Sequence, residues 1–532
     1  MRGSCSIEFT KAYRAGGRLW AQAARLLNAS QQIEIMSLSV ADRIDTTGAA
    51  RGLVPLCVGA GVYLFVLVTG DSLLQDSDTF WQIGIGQWII DHAAMPTADF
   101  YSFTHAGQPW LSNAWLSQVL YAIAYAHHGW AGVVVLSALA IAGAAALLVH
   151  LLLPYLEPAH RILIGMLALM LSWHHLLARP HVLALPVMVA WAGGLIASLD
   201  RRATPPWLLL PLITLWANLH GGFVLGLALI APIALEAIWS ADADKRIVIG
   251  MQWAMFALAA LAASVCTPYG WKTLIAAATI VNLGDVLAVL SEWRPADFSS
   301  FGLFEATLLG VIGLALYRGI KVSPPRITLV LLLTQMALAH VRSIDAFAFL
   351  LPLALAKPFA DHWPQHDSAV AARGTAPLPL MPWLVMLTIA IGTVVSTAAY
   401  TAHHEYAFVK TQTPAAAVDA LKRYGAKRIL NAYEFGGYLI ARGVPTFIDG
   451  RAEVYGEKYV LNYFDAVSAH DIDRLAALLD DNDIDATLLS PRLPAAQLLD
   501  RMSGWRRLYA DDIAVVHIRT GATPPGAIGD LK

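Results

Sequence analysis

The chain has 532 residues, 57% of them hydrophobic and 14% charged, with a mean hydropathy of +0.56 and a formal net charge of −2. So apolar and charge-poor a composition excludes a soluble globular protein and requires solvation by lipid. Near-neutral charge without a basic run excludes a nucleic-acid partner, and three scattered cysteines, Cys5, Cys57 and Cys266, suggest neither a disulfide scaffold nor a zinc site.

Residues 1–52 mix polar and apolar side chains, and no uninterrupted apolar stretch follows the initial basic residues, so a cleaved signal peptide is not expected. Phe9 to Leu27 carries Lys11, Arg14, Arg18 and Arg25 among apolar residues, which suits an amphipathic helix on an anionic membrane surface. The alternatives are a frayed tail, or translation that starts at Met36.

A bilayer crossing needs about 20 apolar residues. Candidate spans fall at 53–70, 130–153, 162–177, 182–199, 207–219, 223–239, 247–265, 301–317, 327–339, 346–356 and 380–400, about eleven in all, with alternative counts of ten to thirteen. Three are short, so their helices are expected to continue into polar residues shielded within the bundle. Cytoplasmic loops are enriched in lysine and arginine. With the N-terminus inside, seventeen basic residues fall on the cytoplasmic side, while the opposite loops up to Tyr400 hold only Arg179, Lys272, Arg294 and Arg342. An odd number of spans then leaves the C-terminus outside.

From about His404 the chain becomes charged, and β-branched runs alternate with helical patterns, as in a small α/β domain on the extracytoplasmic side. Helices are expected near 414–424, 457–469, 472–480 and 494–502, and strands near 428–431, 446–449, 486–489 and 514–518. The fold class is therefore mainly α: a polytopic transmembrane helix bundle over 53–403, with a long first extracytoplasmic loop at 71–129 and a soluble α/β domain over 404–532.

That first loop contains Asp71, Asp76-Ser77-Asp78, Asp91 and Asp99 but no lysine or arginine. Carboxylates at i and i+2 can share a divalent cation, magnesium or manganese, or one can act as a general base that the other tunes. They can equally be solvated loop acids or helix N-caps. Thr79-Phe80-Trp81-Gln82-Ile83 follows at once and points to a semi-buried helix start. Arg179-Pro180-His181 and His340-Val341-Arg342-Ser343-Ile344-Asp345 place arginines on the same face. Such arginines either snorkel to headgroups or bind phosphate oxygens bidentately, as a lipid-linked phosphate would offer them. Three more turns on this face are polar: Asn218-Leu219-His220-Gly221-Gly222, Thr267-Pro268-Tyr269-Gly270 and Glu292-Trp293-Arg294-Pro295. Together they imply one polar chamber built from several loops. His127-His128 and His174-His175 read as interface or core residues.

At these residues the chain resembles the C-type (GT-C) membrane glycosyltransferases of bacteria, an uncharacterised branch of them. The resemblance rests on Asp76-Ser77-Asp78-Thr79-Phe80-Trp81-Gln82-Ile83-Gly84 with Gly86-Gln87-Trp88 and Pro96-Thr97-Ala98-Asp99, and on the Arg179-Pro180-His181 and Trp216-Ala217-Asn218-Leu219-His220-Gly221 stretches. In the C-terminal part it rests on Asn431-Ala432-Tyr433-Glu434-Phe435-Gly436-Gly437-Tyr438 and Phe447-Ile448-Asp449-Gly450-Arg451-Ala452-Glu453. It implies an inner-membrane enzyme with a surface helix after the first-loop acids, taking a sugar from a polyprenyl-phosphate carrier. The chain lacks the Trp-Trp-Asp signature of oligosaccharyltransferases and an Asp-Glu pair in the first loop, so neither that branch nor a close match to protein mannosyltransferases or the lipid A aminoarabinose transferase is expected.

The implied chemistry is inverting transfer of one sugar to an acceptor at the outer face, whether glycan, lipid or protein. Asp78 takes the acceptor proton, Asp76 assists it or shares a cation with it, and Arg179 and Arg342 hold the leaving phosphate. Asp99, His181, His220 and Glu292 are second-rank candidates. Two other classes stay open: a transporter or flippase for a lipid-linked or acidic solute, which would need polar groups at mid-membrane depth, and a non-catalytic assembly protein anchored by its bundle.

Overall fold

The computed structural model describes residues 52–281, 283–362, 381–468 and 471–520; the expected amphipathic helix at 9–27 lies outside them. The described residues open with α1 (Gly52–Val68). It continues through α2 (Asp78–His92), α3 (Trp115–Leu151), α4 (Pro158–Ser172), α5 (Pro180–Asp200), α6 (Leu210–Leu219), α7 (Phe223–Trp239), α8 (Arg246–Ser264) and α9 (Lys272–Val281). Then come α10 (Val286–Val289), α11 (Leu303–Arg318), α12 (Pro324–Ala339), α13 (Ile344–His362) and α14 (Met381–His403).

Each of the eleven apolar stretches falls on a helix. Among the described residues five helices are long and apolar enough to cross a membrane, and four shorter apolar ones accompany them. Prolines begin α4, α5 and α12, where a missing N–H costs nothing. Two of the short spans do extend into shielded polar residues. The α12 helix reaches back to Arg326 and α13 to Asp345, and both side chains are buried. The stretch at 130–153 belongs to a longer helix than expected: α3 begins at Trp115, kinks where His128 and Gly129 leave helical geometry, and only then enters the bundle. Its leading part, with α2, turns the first loop into a packed layer over one end of the bundle; Gly86 fits there because a Cβ would stand 2.0 Å from the Gln118 carbonyl oxygen. No residue in the apolar stretch of α14 after Pro382 is buried, as in a helix turned to lipid.

The C-terminal unit has a four-stranded sheet in the order β1-β2-β4-β3, formed by β1 (Ile429–Asn431), β2 (Ala486–Leu489), β3 (Trp505–Ala510) and β4 (Val515–Arg519). The β1–β2 pair is parallel and the other two are antiparallel. Around it lie α15 (Ala415–Tyr424), α16 (Gly436–Ala441), α17 (Ala452–Tyr455), α18 (Glu457–Ser468), α19 (Ile472–Asp481) and α20 (Pro494–Leu499). The strand expected at 446–449 is not part of this sheet. Asn431 Oδ1 accepts the Phe447 N–H at 2.8 Å, and Thr446 pairs with the first loop through Tyr101 and Phe103, both at 3.1 Å. Its backbone is thus satisfied by a side chain and a loop in place of a sheet neighbour. Strand β3 is unexpected because Arg506 and Arg507 break the apolar alternation, as an edge strand tolerates.

The two units share cores. Leu283 and Val286, from the stretch between α8 and α11, are buried in the C-terminal core, and the Asp285 N–H donates to Glu457 Oε1 at 2.7 Å. Trp81, Ile85, Ile89 and Trp110 of the first loop enclose Ile440 of α16.

Candidate functional site

The layer between bundle and C-terminal unit gathers most of the residues singled out above. Asp76 caps the start of α2, its Oδ1 accepting the Asp78 N–H at 2.9 Å. Thr79 Oγ1 donates to the Ala178 carbonyl at 3.1 Å, and the Ala178 N–H donates to the Leu73 carbonyl at 2.9 Å. These bonds fasten the first loop to the turn before α5, which carries Arg179.

Arg179 is the hub. Its Nη2 pairs with Asp76 Oδ2 and lies 2.9 Å from Asp78 Oδ2, while Nη1 donates to Glu292 Oε2 at 2.9 Å. Glu292 Oε1 in turn accepts from Arg342 Nη1 at 3.2 Å, and the Arg342 guanidinium lies 4.6 Å from the Trp293 ring centroid. Five residues from four separate segments thus form one ion network. Arg179 is 17% exposed and Arg342 27% exposed, so Arg342 is the guanidinium more open to a ligand.

The charges tune one another. Burial pushes the Asp78 carboxyl up to about 7, against the pull of Arg179 and with help from Asp76 and Glu292. Burial acts on Glu292 in the same sense, but Arg342 and Arg179 override it and hold that carboxyl down to about 2. Burial opposes the charge on Arg179, yet Asp76, Asp78 and Glu292 outweigh it and raise its pKa further. The network therefore holds a carboxyl, that of Asp78, poised near neutrality beside Arg179 and Glu292.

Two histidines border this network. His181 Nε2 lies 2.7 Å from the His175 carbonyl, and the His220 ring centroid is 6.2 Å from that of His181. Burial, reinforced by Arg342 and His181, lowers His220 to about 3, so it is neutral. Its Nδ1 accepts the Gly222 N–H at 3.0 Å, which leaves its proton on Nε2. His175, read from sequence as interface or core, lies within electrostatic reach of Glu292 and borders the site, whereas His174 is exposed.

Other candidates lie elsewhere. Asp99 is not in this network: its Oδ1 is 2.7 Å from Arg451 Nη1, both side chains fully buried, and its Oδ2 caps Ser102 at 3.1 Å. Asp71 accepts the Ala407 N–H at 2.9 Å and Asp91 accepts from Gln87 at 2.7 Å. Asn218 accepts from Trp115 Nε1 at 2.7 Å, and Tyr269 donates its hydroxyl to the Pro96 carbonyl at 2.9 Å; both brace the first loop. The chamber is thus narrower than the sequence suggests. The residues also do not fit a divalent cation between Asp76 and Asp78, because an Arg179 nitrogen occupies that place. Among the described residues no group of three or more His, Cys, Asp or Glu has ligand geometry.

Sequence reasoning missed what the C-terminal unit contributes. A Cβ on Gly450 would stand 2.0 Å from Asp78 Oδ1, and one on Gly437 would stand 2.0 Å from the Ser77 carbonyl oxygen. Both glycines lie in the two quoted C-terminal motifs, and they are there because backbone abuts the acid loop. Tyr433 stands within electrostatic reach of Asp78 and Glu292.

No family model and no curated protein sequence matches the chain. Among solved structures it is similar to ArnT from Cupriavidus metallidurans bound to undecaprenyl phosphate, with 12% identity and a TM-score of 0.43, over 88% of this chain and 98% of that one.

Proposed function

We propose that the protein is an integral membrane glycosyltransferase of the C type, moving a sugar from a polyprenyl-phosphate carrier to an acceptor hydroxyl at the extracytoplasmic face of the bacterial inner membrane. The observation that carries this reading is the network of Asp76, Asp78, Arg179, Glu292 and Arg342 at one end of an apolar bundle, with the Asp78 carboxyl poised near neutrality inside it. Asp78 removes the acceptor proton as the acceptor oxygen bonds to the sugar anomeric carbon. The bond from that carbon to the phosphate oxygen breaks, and the phosphate leaves with the electron pair. Arg342 meets the charge that develops there. Arg179 serves chiefly to position the carboxylates, since its Nη1 and Nη2 are taken by three of them.

An apolar cavity of about 500 Å³ supports a lipid-linked donor. It lies between α4, α11 and α13 and is lined by Leu171 near the His175 end and by Phe347, five residues beyond Arg342. The cavity runs from there to Glu157 and His160 at the other end of α4, and a polyprenyl chain entering at the Phe347 end would bring its phosphate towards Arg342.

The test is Asp78→Asn in membranes supplied with a panel of labelled undecaprenyl-phosphate sugars. Transfer by the wild type and its loss in the variant are expected; transfer retained by the variant would remove Asp78 from this role.

A further inference from the structure

Among the described residues three arginines are buried, and their surroundings differ. Arg326 pairs with Asp200 and Glu236, and Arg451 with Asp99 and Asp449. Arg161 lies in the first turn of α4, at the end of the bundle opposite Arg179. It is 5% exposed, yet its Nε is buried without a hydrogen-bond partner and its guanidinium forms no ion pair with a described residue. The acids of that end are committed elsewhere. Asp200 is held by Arg326 and accepts from the Tyr155 hydroxyl at 2.9 Å, while Glu157, its side chain 57% exposed, turns to His160, with Oε2 3.9 Å from Nδ1. A guanidinium keeps its charge inside a protein, and a buried charge without a partner is costly. An anion bound there would remove that cost.

The apolar cavity between α4, α11 and α13 ends beside this arginine. The turn 153–158 lines that end, and Ile164 and Ala168, at i+3 and i+7 from Arg161, line the α4 wall. A helical side chain leans back towards the start of its helix, which for Arg161 is that turn. On the other side α4 presses on α3: a Cβ on Gly165 would stand 3.1 Å from Val149 Cγ2. A ligand that satisfies both features carries an anion for Arg161 and a hydrocarbon for Ile164, Leu167 and Leu351. That is the chemistry of a lipid phosphate. The carrier of the proposed reaction does not supply it. Arg161 and Leu171 lie ten residues apart on α4, about 15 Å along its axis, so a phosphate held near Arg342 cannot reach Arg161.

We propose that Arg161 and the adjoining end of the cavity form a phospholipid site: the guanidinium binds the phosphate of a lipid from the leaflet at that end, and an acyl chain enters the cavity past the turn 153–158. Arginine suits the task, since its planar fork takes two phosphate oxygens at once. Bound lipid supplies Arg161 with the counterion that Asp200 and Glu236 supply to Arg326. The site stands at the opposite end from Asp78 and does not depend on what is transferred there.

The experiment uses the full chain, stripped of lipid in a phosphate-free maltoside detergent, as wild type, Arg161→Met and Arg161→Lys. Melting temperature is measured alone and with phosphatidylglycerol, diacylglycerol of the same acyl chains, inorganic phosphate or undecaprenyl phosphate, and native mass spectrometry gives the Kd for phosphatidylglycerol. Without lipid, Arg161→Met is expected to melt at or above the wild type, because it removes an unpaired buried charge. Phosphatidylglycerol should raise the wild type by several degrees and Arg161→Met by much less. The tightest Kd should weaken about tenfold or more in Arg161→Met, the worth of a hydrogen bond to a charged group, and be partly kept in Arg161→Lys. Diacylglycerol and inorganic phosphate should leave the melting temperature where it was. An unchanged response of Arg161→Met to phosphatidylglycerol, with a lower melting temperature in its absence, would make Arg161 a partner of the α3 C-terminal carbonyls and overturn the proposal. So would a rise with inorganic phosphate alone, which marks a free-anion site. A response to undecaprenyl phosphate that is lost in Arg161→Met and kept in Arg342→Ala would make the carrier the occupant and overturn it as well.

Discussion

Two arginine clusters stand at opposite ends of the bundle. At the far end Arg326 donates Nε to Glu236 at 2.8 Å, Nη2 to Asp200 at 2.8 Å and Nη1 to the Ala354 carbonyl at 3.2 Å. Asp200 also accepts from the Tyr155 hydroxyl at 2.9 Å, and Glu236 from the Ser323 hydroxyl at 2.6 Å. Arg326 and Asp200 are each 5% exposed. Every group there has its partner, and the cluster ties α5, α7 and α12 together. In the network around Arg179 the same residue types are combined differently. Nη2 is shared between two carboxylates, Nε has no protein partner, and Glu292 is 35% exposed. A closed ion cluster holds helices; an open one keeps charge in reserve for a ligand.

That contrast predicts opposite responses to matched substitutions. The largest effect belongs to Asp78→Asn, expected to lower transfer by about 10²–10⁴-fold, the worth of a general base, with little change in melting temperature. Asp200→Asn should do the reverse, and equal rate losses in the two variants would erase the distinction. Arg326→Met should cost about 3–5 kcal/mol, since it strands two buried carboxylates; the loss is read as a lowered melting temperature, and adding Asp200→Asn and Glu236→Gln should recover part of it. Arg342→Ala should weaken binding of undecaprenyl phosphate about tenfold or more, corresponding to about 1.5–3 kcal/mol for a hydrogen bond to a charged group, with lysine restoring it only in part. The smallest effect is a shift in pH dependence. Asp78 acts as a base only when deprotonated, so the rate should climb with pH through an inflection near 7. Glu292→Gln removes a negative charge that raises Asp78 and should move the inflection to lower pH, visible in kcat/KM profiles.

Most of the bundle was legible in the sequence because lipid imposes a simple rule: each apolar run became a helix. The acids at Asp76 and Asp78 and the arginines at Arg179 and Arg342 stood out for a related reason, as charges or charge runs that topology alone does not require. Their partnership was less legible. That Arg179 would be claimed by three carboxylates, and Arg342 left the more open, depends on how four turns approach one another, which no local pattern encodes. Asp99 illustrates the same limit: an aspartate in the right loop proved to be a buried partner of Arg451, some 350 residues away in the chain. The C-terminal strands at β1, β2 and β4 followed from apolar runs, but Thr446–Asp449 carried the same signal and was diverted by the Asn431 side chain.

The sharing of Leu283 and Val286 with the C-terminal core has a consequence in time. Residues 404–520 are made after Leu283 and Val286, and their core closes only when that segment, more than a hundred residues earlier in the chain, lies at the same end of the bundle. A chain that mis-inserts a single helix between α9 and α14 would part Leu283 and Val286 from the C-terminal core, and with it Gly450 from Asp78. Closing the C-terminal core thus depends on a correctly threaded bundle.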